Sequence, residues 1–569
     1  MRLIVACMLI FDPATECSAQ TTVPHVGSAA ALSSIKSTSR VSIVRDGYRA
    51  PGDAPPLLYT SSPYPCTINS GSGDGGSQIR SADNKCWVAT IPLSGADVRE
   101  WGAECPGSRD TQAIQAALSF MGSHGGGLVL IPPSFGGCNL YSTIAIPART
   151  TLTGAGITAS HLLAAVRNLS PALQFTGDGA AIRDIEIDSS SAGPNVRGTV
   201  VETGNHSSQR IENVQIDGPC IGVDINGNTT WVDRLVVNNI QGSGCGGWRV
   251  GTQTTFAGTV GARITNSVVG GDSGSASFDQ EILDSGGLYE ANDDLLLAGV
   301  GTEVNPGANQ EVDWAFFSNT VLGDSNTTAA LVLDTRDPSG VIKGLECVGC
   351  WAASQSSTSG SNIFINNNGR GTVVGIHFVG LRDYNSAGNG AVVNDGSNIY
   401  FESSRFCGIA GTSDILVANG VNGFKVSGGV VGGQCDSFKS VGAVHGIVLA
   451  GSNNDVQIVG VDFSGVEIPV SGTPVGNSVV SSNIGLDSAP QTLASASSIS
   501  LNPPYPVWRI TGTSTIKMIT GGWSGRAVTI IPTGGPIHFA TGGNICTRLT
   551  SANNTPVLAI YADACWYLK

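Results

Sequence analysis

Short runs of β-forming residues recur along most of the chain, and this repetition limits the possible folds more than any other feature. Between Leu152 and Gly465 the runs end at Gly, Asn or Asp, and equivalent positions lie roughly 20 to 32 residues apart. The clearest runs are IRDIEID (182–188), IENVQIDG (211–218), VDRLVVNN (232–239), ARITNSVVGG (262–271), IKGLECVGC (342–350), VVGIHFVG (373–380), SNIYFESSRF (397–406), VNGFKVSGGVVGG (421–433) and NNDVQIVGVDFSG (453–465). A solenoid keeps such a period because each turn buries its apolar face by stacking on its neighbours. The pattern therefore predicts a three-sided parallel solenoid. Asn213, Asn239, Asn266 and Asn319 recur at about one or two turn lengths, which predicts a structural asparagine ladder at one corner.

Composition agrees with many short strands and tight turns. The chain has 569 residues, of which 77 are Gly and only 13% are charged, and its formal net charge is −14. An acidic chain with few basic clusters is a poor partner for nucleic acid or for anionic membranes, although a local basic groove could still bind an acidic polymer. No apolar run has the length needed to span a bilayer.

The first residues, MRLIVACMLIFDPATECSAQ, favour a secretory signal peptide at residues 1–19. They combine one Arg with an apolar run from Leu3 to Phe11 and small residues at Ser18 and Ala19. The alternative is a buried N-terminal strand or helix, and the Asp12-Pro13 pair is unusual for a cleavage region.

A helix is predicted after residue 109. Asp110 stands where an N-cap is expected to accept from the first-turn amides, and apolar residues recur at helical spacing through Met121. Gly125-Gly126-Gly127 ends the helix, and a buried strand follows, which is stopped by Pro132-Pro133.

This region resembles the opening of the pectate-lyase-like superfamily, in which a capping helix covers one end of a right-handed parallel β-helix. The residues that carry the resemblance are Trp101-Gly102-Ala103, Asp110-Thr111, Ala113-Ile114-Gln115, Gly125-Gly126-Gly127, Ile131-Pro132-Pro133, Ile146-Pro147 and Thr151-Leu152-Thr153-Gly154-Ala155-Gly156. The resemblance implies an all-β fold: a right-handed single-stranded parallel β-helix with an N-terminal capping helix, a small N-terminal head and a C-terminal β module. It says little about chemistry.

The two ends of the chain resemble modules of phage tailspikes. Gly47-Tyr48, Pro51-Gly52-Asp53 and Trp87 are similar to a strand-rich head that precedes the β-helix. Motifs near the C-terminus, 509–513, 523–526 and 543–545, are similar to a closing β module that caps the helix or forms trimers. The predicted domains are the signal peptide (1–19), the head (20–96), the capping helix and β-helix (97–465), a linker (466–495) and the C-terminal module (496–569).

Twelve of the fourteen cysteines remain after removal of the signal peptide, and they fall into neighbouring pairs. Spacings near one solenoid turn place partners on adjacent strands about 4.8 Å apart, which suits a disulfide. The predicted pairs are Cys66/Cys86, Cys105/Cys138, Cys220/Cys245, Cys347/Cys350, Cys407/Cys435 and Cys546/Cys565. Redox chemistry or half a zinc site at Cys347-x-x-Cys350 is the rival interpretation.

The candidate chemistry is sugar processing, which β-helices of this superfamily carry on a lateral groove or between subunits. The polygalacturonase motif set is absent in its standard form, and the spacing of Arg370, Arg382 and Arg405 does not identify a pectate lyase. A tailspike-type glycosidase needs two carboxylates on neighbouring turns. Acids concentrate between residues 272 and 313, and the predicted catalytic residues are Glu281, Asp313, Asp279, Asp284, Asp293 and Asp294.

Aromatic residues lie among these acids and suit stacking on sugar faces. Tyr289, Trp314 and Phe317 are the predicted substrate-binding residues. Asp184, Glu186 and Asp188 alternate along one strand and form a second candidate cluster. All of these residues could instead be solvated turn acids and core aromatics.

The leading prediction is a glycoside hydrolase, or depolymerase, that acts on a cell-surface or extracellular glycan through a carboxylate pair. A tailspike-like receptor-binding or adhesive β-helix without turnover is one alternative, and a polysaccharide lyase is another. The predicted partner is a polysaccharide, with no nucleic acid, no membrane span, no metal and no cofactor, in a homotrimer. The predicted location is extracellular after secretion, with a phage virion tail as the alternative.

Overall fold

The computed structural model describes residues 23–569 except 93, 167–168, 191–197, 241, 253–260, 272–275, 354–359, 367–369, 433–443 and 487–489. Contacts divide the chain into two compact units, Met1–Pro92 with Arg99–Gly102, and Leu93–Val98 with Ala103–Lys569. The predicted signal peptide lies outside the described residues. No helix within the described part of the chain is long and apolar enough to cross a membrane.

The first unit is a small β structure with its own core. Its elements are β1 (His25–Val26), helix α1 (Ala29–Ser33), β2 (Ser42–Arg45), β3 (Leu57–Ser62), β4 (Gln78–Arg80) and β5 (Cys86–Ala89). The strands form one sheet in the order β1-β2-β3-β5-β4. Leu32, Ile43, Tyr59 and Trp87 are fully buried and form the core. Arg45 is buried among them, and its guanidinium donates to the carbonyl oxygen of Glu100 at 2.7 Å.

The second unit begins with β6 and helix α2 (Asp110–Ser123) and continues through a long series of short strands. In chain order, β6 to β24 are Ala96–Asp97, Gly127–Leu130, Cys138–Leu140, Ile144–Ile146, Thr150–Thr153, His161–Ala164, Leu173–Phe175, Ala181–Asp188, Thr199–Glu202, Arg210–Asp217, Ile221–Ile225, Thr230–Ile240, Gly246–Val250, Gly261–Thr265, Val268–Gly271, Phe278–Ile282, Gly287–Ala291, Asp294–Leu296 and Val300–Val304. In the same order, β25 to β44 are Glu311–Asp313, Phe316–Ser318, Val321–Asp324, Ala329–Leu333, Val341–Lys343, Glu346–Val348, Trp351–Ala353, Ile363–Ile365, Thr372–Val379, Arg382–Tyr384, Ala391–Val393, Ser397–Glu402, Arg405–Cys407, Ser413–Val417, Lys425–Ser427, Val430–Val431, His445–Asn454, Gln457–Val459, Ile468–Val475 and Val479–Ser481.

These strands form two parallel sheets, as a β-helix requires. One sheet has 13 strands in the order β9-β12-β14-β16-β18-β21-β24-β28-β32-β35-β38-β41-β43. The other has 26 strands, and the strands of successive turns are neighbours in it. The predicted runs that end near residues 188, 217, 239 and 271 are parallel and in register on successive turns. The solenoid prediction is therefore confirmed.

The interior of the coil consists of ladders of stacked side chains. One ladder runs in register through Ile211, Val232, Ile264, Glu290 and Phe317, and all five are buried. Each aliphatic member contributes roughly 1.5–3 kcal/mol through burial. Glu290 interrupts the apolar series, and burial raises its pKa well above the ordinary value, with the nearby charge of Asp293 acting in the same direction.

Asparagine and aspartate occupy a corner where the chain turns with positive φ. Asp184, Asn213, Asn266 and Asn319 have φ between 51° and 54° there. The Asn213 amide donates to the Asp184 carboxylate at 2.7 Å, which ties one turn to the next. The predicted asparagine ladder thus exists. On β17 its position is occupied by Arg234, whose φ is also positive. Asn239 lies five residues after Arg234 and belongs to a different corner. Asn and Asp tolerate this conformation better than other residues with a Cβ atom.

Helix α2 packs against β7, β8 and β9 through the predicted apolar face. Ile114, Leu118 and Met121 are fully buried. The N-cap prediction for Asp110 was wrong, because the helix begins at Asp110 itself after Arg109. The Asp110 carboxylate instead accepts from the backbone N–H groups of residues 104, 107 and 139, at 2.6 to 3.0 Å, and so holds the preceding loop and β8 in place.

The cysteine pairing follows the prediction wherever the structure describes both partners. The five disulfides are Cys66–Cys86, Cys105–Cys138, Cys220–Cys245, Cys347–Cys350 and Cys546–Cys565. Cys407 is also disulfide-bonded, and its predicted partner Cys435 lies outside the described residues.

The chain ends in a mixed β module. Strands β45 to β53 are Gln491–Ala494, Ser498–Ser500, Val507–Thr511, Met518–Thr520, Ala527–Pro532, Ile537–Phe539, Leu549–Ser551, Val557–Ala562 and Cys565–Leu568. Five of them form the sheet β45-β47-β49-β52-β53. The range predicted from composition as a linker, 466–495, holds strands β43 and β44 of the solenoid sheets and β45 of this module.

Candidate functional site

Three of the predicted catalytic acids are buried and out of reach of a polymer. Asp279 and Asp293 are fully buried, and Asp284 is only 1% exposed. Asn326 donates to the Asp279 carboxylate at 3.0 Å, and the backbone N–H of Ser267 donates to Asp293 at 2.7 Å. Burial raises the pKa of Asp279 well above its ordinary value and that of Asp293 to about 7. These three predicted catalytic acids thus lie where a polymer does not contact their side chains.

The predicted pair of Glu281 and Asp313 is not formed. Glu281 lies on β21 in the 13-stranded sheet, whereas Asp313 lies on β25 in the 26-stranded sheet. Asp313 pairs with Lys343 at 3.4 Å, and Lys343 also pairs with Glu311. Asp294 is exposed at the start of β23, also in the 26-stranded sheet. The residue one turn after Glu281 is Glu303, 22 residues along the chain, so the spacing of 32 residues to Asp313 reaches the other sheet.

The second candidate cluster serves the fold. Asp184 lies at the corner described above, and Asp188 accepts from the backbone N–H of Ser190 at 2.7 Å. Glu186 pairs with His161 at 3.1 Å, and partial burial raises its pKa. Each acid therefore bonds locally to its own turn or to an adjacent one.

Glu281 belongs instead to a group of charged residues on the outer side of the 13-stranded sheet. In-register pairing runs from Asp224 to Arg249, from Arg249 to Glu281, and from Glu281 to Glu303. Neighbouring strands lie about 4.8 Å apart, so these four residues follow one another at that interval. Arg336 reaches the group from the turn after β28. We call Asp224, Arg249, Glu281, Glu303 and Arg336 the acid–arginine cluster.

Two guanidinium groups hold the Glu281 carboxylate. Nε of Arg249 donates to Oε2 at 2.7 Å, and Nη2 of Arg336 donates to Oε1. The Glu281 side chain is 3% exposed, whereas those of Arg249 and Arg336 are 27% and 51% exposed. Arg249 also lies over the ring of Phe278 at 5.0 Å. Charge-assisted bonds of this kind fix the orientation of all three groups.

Both outer acids of the cluster have raised pKa values. Burial raises the pKa of Glu303, and the charge of Glu281 raises it further. The amide of Asn305 donates to the Glu303 carboxylate at 2.7 Å, which partly opposes the shift. Burial also raises the pKa of Asp224. A carboxyl with a raised pKa beside a salt-bridged carboxylate is the usual arrangement of an acid and its partner in acid–base chemistry.

A polar surface cavity lies beside this cluster. Its volume is about 450 Å³, and Arg249 contributes to its wall together with Thr199, Ser243 and Gly244. The hydroxyl of Thr199 also donates to the Asp224 carboxylate at 2.5 Å. Arg249 is the member of the cluster that lines this cavity, beside hydroxyl and backbone groups that can hydrogen-bond to sugar hydroxyls.

The predicted substrate-binding aromatics separate into two kinds. Tyr289 and Trp314 are 37% and 60% exposed. Phe317 is 1% exposed and lies in the interior ladder, so its predicted role was wrong. Its neighbour Phe316 faces the outside, because successive side chains of a strand point to opposite faces. All of these aromatics lie in or beside the 26-stranded sheet, away from the cluster.

Sequence reasoning missed Asp224, Arg249, Glu303 and Arg336. Three of them follow a pattern that the sequence contains: the tripeptides VDI (223–225), WRV (248–250), QEI (280–282) and TEV (302–304) each place one charged residue before a buried aliphatic one. Aligning these strand ends would have brought the charges into one column. Among the described residues, no group of three or more His, Cys, Asp or Glu side chains is placed to hold a metal ion.

The coordinates define the chain as a parallel β-helix protein, the architecture that the resemblance to the pectate-lyase-like superfamily implied. No family model matches the sequence, and no curated protein matches it significantly. The structure is similar to the A-module of the mannuronan C-5 epimerase AlgE6 of Azotobacter vinelandii, with 14% identity, a TM-score of 0.43, and coverage of 68% of this chain and 98% of that module. It is also similar to the pre-mature gene product 12 of bacteriophage phi29 (13% identity, TM-score 0.49, 75% of this chain and 62% of that one). A third similar structure is tailspike protein 2 of the Escherichia coli O157:H7 bacteriophage CAB120 (13% identity, TM-score 0.46, 96% and 71%).

Proposed function

We propose that this protein hydrolyses glycosidic bonds of an extracellular polysaccharide at the acid–arginine cluster. The observation that carries the proposal is the in-register position of Glu281 and Glu303 on adjacent strands, with Glu281 held by Arg249 and Arg336. Adjacent strands are about 4.8 Å apart, which is close to the carboxyl separation of roughly 5–5.5 Å in retaining glycosidases.

The proposed roles follow from the surroundings of the two acids. Glu303, whose pKa is raised, donates its proton to the glycosidic oxygen as the bond to the anomeric carbon breaks. Glu281 attacks the anomeric carbon from the other side and forms a glycosyl ester. A water molecule, deprotonated by Glu303, then cleaves the ester and returns Glu281 to its carboxylate form. Retention of configuration is the expected outcome.

The arginines supply substrate orientation in this proposal. Arg336 is half exposed and reaches Glu281 from a turn, so it can exchange that contact for an acidic or hydroxyl group of the sugar. Guanidinium groups bind carboxylates in a fixed bidentate geometry.

The same arginines favour a polysaccharide lyase as the second candidate. A guanidinium beside a uronic acid carboxylate would stabilise the charge that develops when a proton leaves the neighbouring carbon. A lyase product carries a double bond that absorbs ultraviolet light, whereas a hydrolase product does not.

We further propose that the mature protein works outside the cell, as a secreted homotrimer or as part of a virion tail. Disulfides persist in oxidising compartments, and the five that the structure describes support export. The C-terminal module is the proposed trimerisation or capping element. Light scattering tests the trimer. The full chain should have the mass of three chains, and a form truncated after residue 482 should have the mass of one.

A panel of linear polysaccharides tests the activity. The assay measures release of reducing ends together with ultraviolet absorbance. Glu303→Gln and Glu281→Gln should each lower turnover by about 10²- to 10⁴-fold, because each removes one half of the acid–base pair. Asp313→Asn is the matched control, since this acid lies on the other sheet, and it should retain full activity.

Thermal unfolding of each variant separates lost chemistry from lost folding. Full activity in both glutamine variants would refute the assignment to this cluster. Binding of a glycan with no product of either kind would replace the hydrolase with the non-enzymatic alternative.

A further inference from the structure

A row of exposed aromatic and cationic side chains follows the outer side of the 26-stranded sheet. In-register pairing joins its members turn by turn. We define the aromatic row as Trp231, Arg263, Tyr289, Phe316, Tyr400 and Lys425. Glu346 and His377 lie in register between Phe316 and Tyr400.

The rings of the row are exposed at Trp231 and Tyr289 and half-buried at Phe316 and Tyr400. Trp231 and Tyr289 are 49% and 37% exposed. Arg263 lies over the Tyr289 ring at 4.9 Å, and Lys425 lies over the Tyr400 ring at 5.8 Å. A cation above an aromatic face orients the ring and leaves its edge and opposite face for a ligand.

The dimensions of the row suit a linear polymer. Seven strand-to-strand steps separate Trp231 from Lys425, so the row is about 34 Å long. The step between neighbouring strands is comparable to the length of one pyranose unit, and sugar rings stack on aromatic faces. A polysaccharide lying along the solenoid axis would therefore meet an aromatic or charged group at each of several successive units.

The charges of the row select the class of polymer. Among the described residues, no carboxylate lies within 4 Å of the Arg263 guanidinium or the Lys425 ammonium group. The acids of the neighbouring column are already paired, Asp233 with Arg234 at 3.2 Å and Glu402 with His377 at 3.1 Å. The row thus carries two cations, Arg263 and Lys425, and one acid, Glu346, on a protein whose formal net charge is −14. Arg263 and Lys425 are therefore the groups of the row that can bind a carboxylate.

We propose that the aromatic row binds a linear polysaccharide that contains acidic sugars, and that it is a binding site separate from the acid–arginine cluster. Stacking on Trp231, Tyr289, Phe316 and Tyr400 holds the pyranose rings, and Arg263 and Lys425 bind carboxylate groups at the two halves of the row. The inference goes beyond the proposed function, since it requires binding without turnover.

Affinity electrophoresis of the full chain tests the proposal. The gels contain polygalacturonate, alginate or hyaluronan as linear acidic polysaccharides, and amylose as a neutral one. The protein should be retarded by at least one acidic polymer and not by amylose. The double variants Arg263→Ala/Tyr289→Ala and Tyr400→Ala/Lys425→Ala should each raise the dissociation constant at least tenfold, while Arg263→Lys keeps part of the affinity. Tyr141→Ala, at a ring that is 44% exposed outside the row, should change nothing.

Several results would overturn the proposal. These are no retardation by any of the three acidic polymers, equal retardation by amylose, or unchanged affinity in both double variants. Binding by Glu281→Gln at the affinity of the unmodified protein supports a site separate from the cluster. Loss of turnover in that variant concerns the proposed function alone, so the two proposals fail independently.

Discussion

Asp383 lies on the interior side of β34, and replacing it by asparagine should change the dependence of stability on pH. Its side chain is fully buried, and in-register pairing places it between Ala352 and Phe406. The amide of Asn362 donates to its carboxyl at 2.6 Å. Burial raises the pKa of Asp383 from 3.8 to about 8. Asp414, which is also buried, has its pKa raised to about 8 by burial and by the charge of Asp383.

The direction of the effect follows from proton linkage. Between pH 4 and pH 8 the folded protein keeps protons on these two carboxyls that the unfolded chain has already released. The free energy of unfolding therefore falls as the pH rises through this range. The contribution of these two carboxyls to the free energy of unfolding is fully present only below about pH 4, where both are protonated in the folded and the unfolded states. Each pH unit corresponds to about 1.4 kcal/mol for one group, so the gap of roughly four units sets an upper limit of about 6 kcal/mol for Asp383.

Asp383→Asn removes the proton and keeps the shape of the side chain. At pH 5 the variant should match the unmodified protein to within about 1 kcal/mol, since an amide resembles a protonated carboxyl. At pH 9 it should be the more stable of the two by several kcal/mol, because it does not place a charge inside the coil. Neutralising Asp383 also removes its effect on the pKa of Asp414.

Urea unfolding midpoints at pH 5, 7 and 9, with disulfides intact, measure the effect. Glu467→Gln, at an exposed position, is the control and should follow the unmodified protein at every pH. Hydrogen bonds from Ser339 lower the pKa of Asp337, so its contribution is lost only below about pH 4, outside this window. Equal pH profiles for the Asp383 variant and the unmodified protein would refute the reasoning, as would a stability that rises from pH 5 to pH 9.

Two further predictions concern the covalent links and the corners of the coil. Replacing both Cys220 and Cys245 by serine should lower the free energy of unfolding by about 3 kcal/mol, because their disulfide closes a loop with a separation of 25 residues. An unchanged urea midpoint would contradict this prediction. Asn266 has φ at 54°, and its side-chain amide donates to the Asp233 carboxylate at 2.8 Å. Asn266→Gly should lower the free energy of unfolding by about 1 kcal/mol and Asn266→Val by about 3 kcal/mol. Equal urea midpoints for the two variants would show that the left-handed corner carries no strain.

The sequence by itself determined the solenoid, the apolar face of helix α2 and the cysteine pairs whose two partners the structure describes. These features rest on short-range patterns: a strand length, a helical period, and cysteines that are close in sequence, such as Cys220 and Cys245, whose separation of 25 residues is near one turn. The recurrence of asparagine at about one or two turn lengths likewise predicted a corner at Asn213 and Asn266, where φ is positive.

Only the tertiary structure decided which acids meet. Glu281 and Asp313 are 32 residues apart, which is within the range of turn lengths. They nevertheless lie on different sheets, because the lengths of strands and corners vary from turn to turn. The fold also buries Asp279 and Asp293 and brings Arg336, which is 55 residues further along the chain than Glu281, onto the Glu281 carboxylate. The chemistry of the outer surface thus depends on accumulated corner lengths and strand register, which the local sequence pattern does not specify.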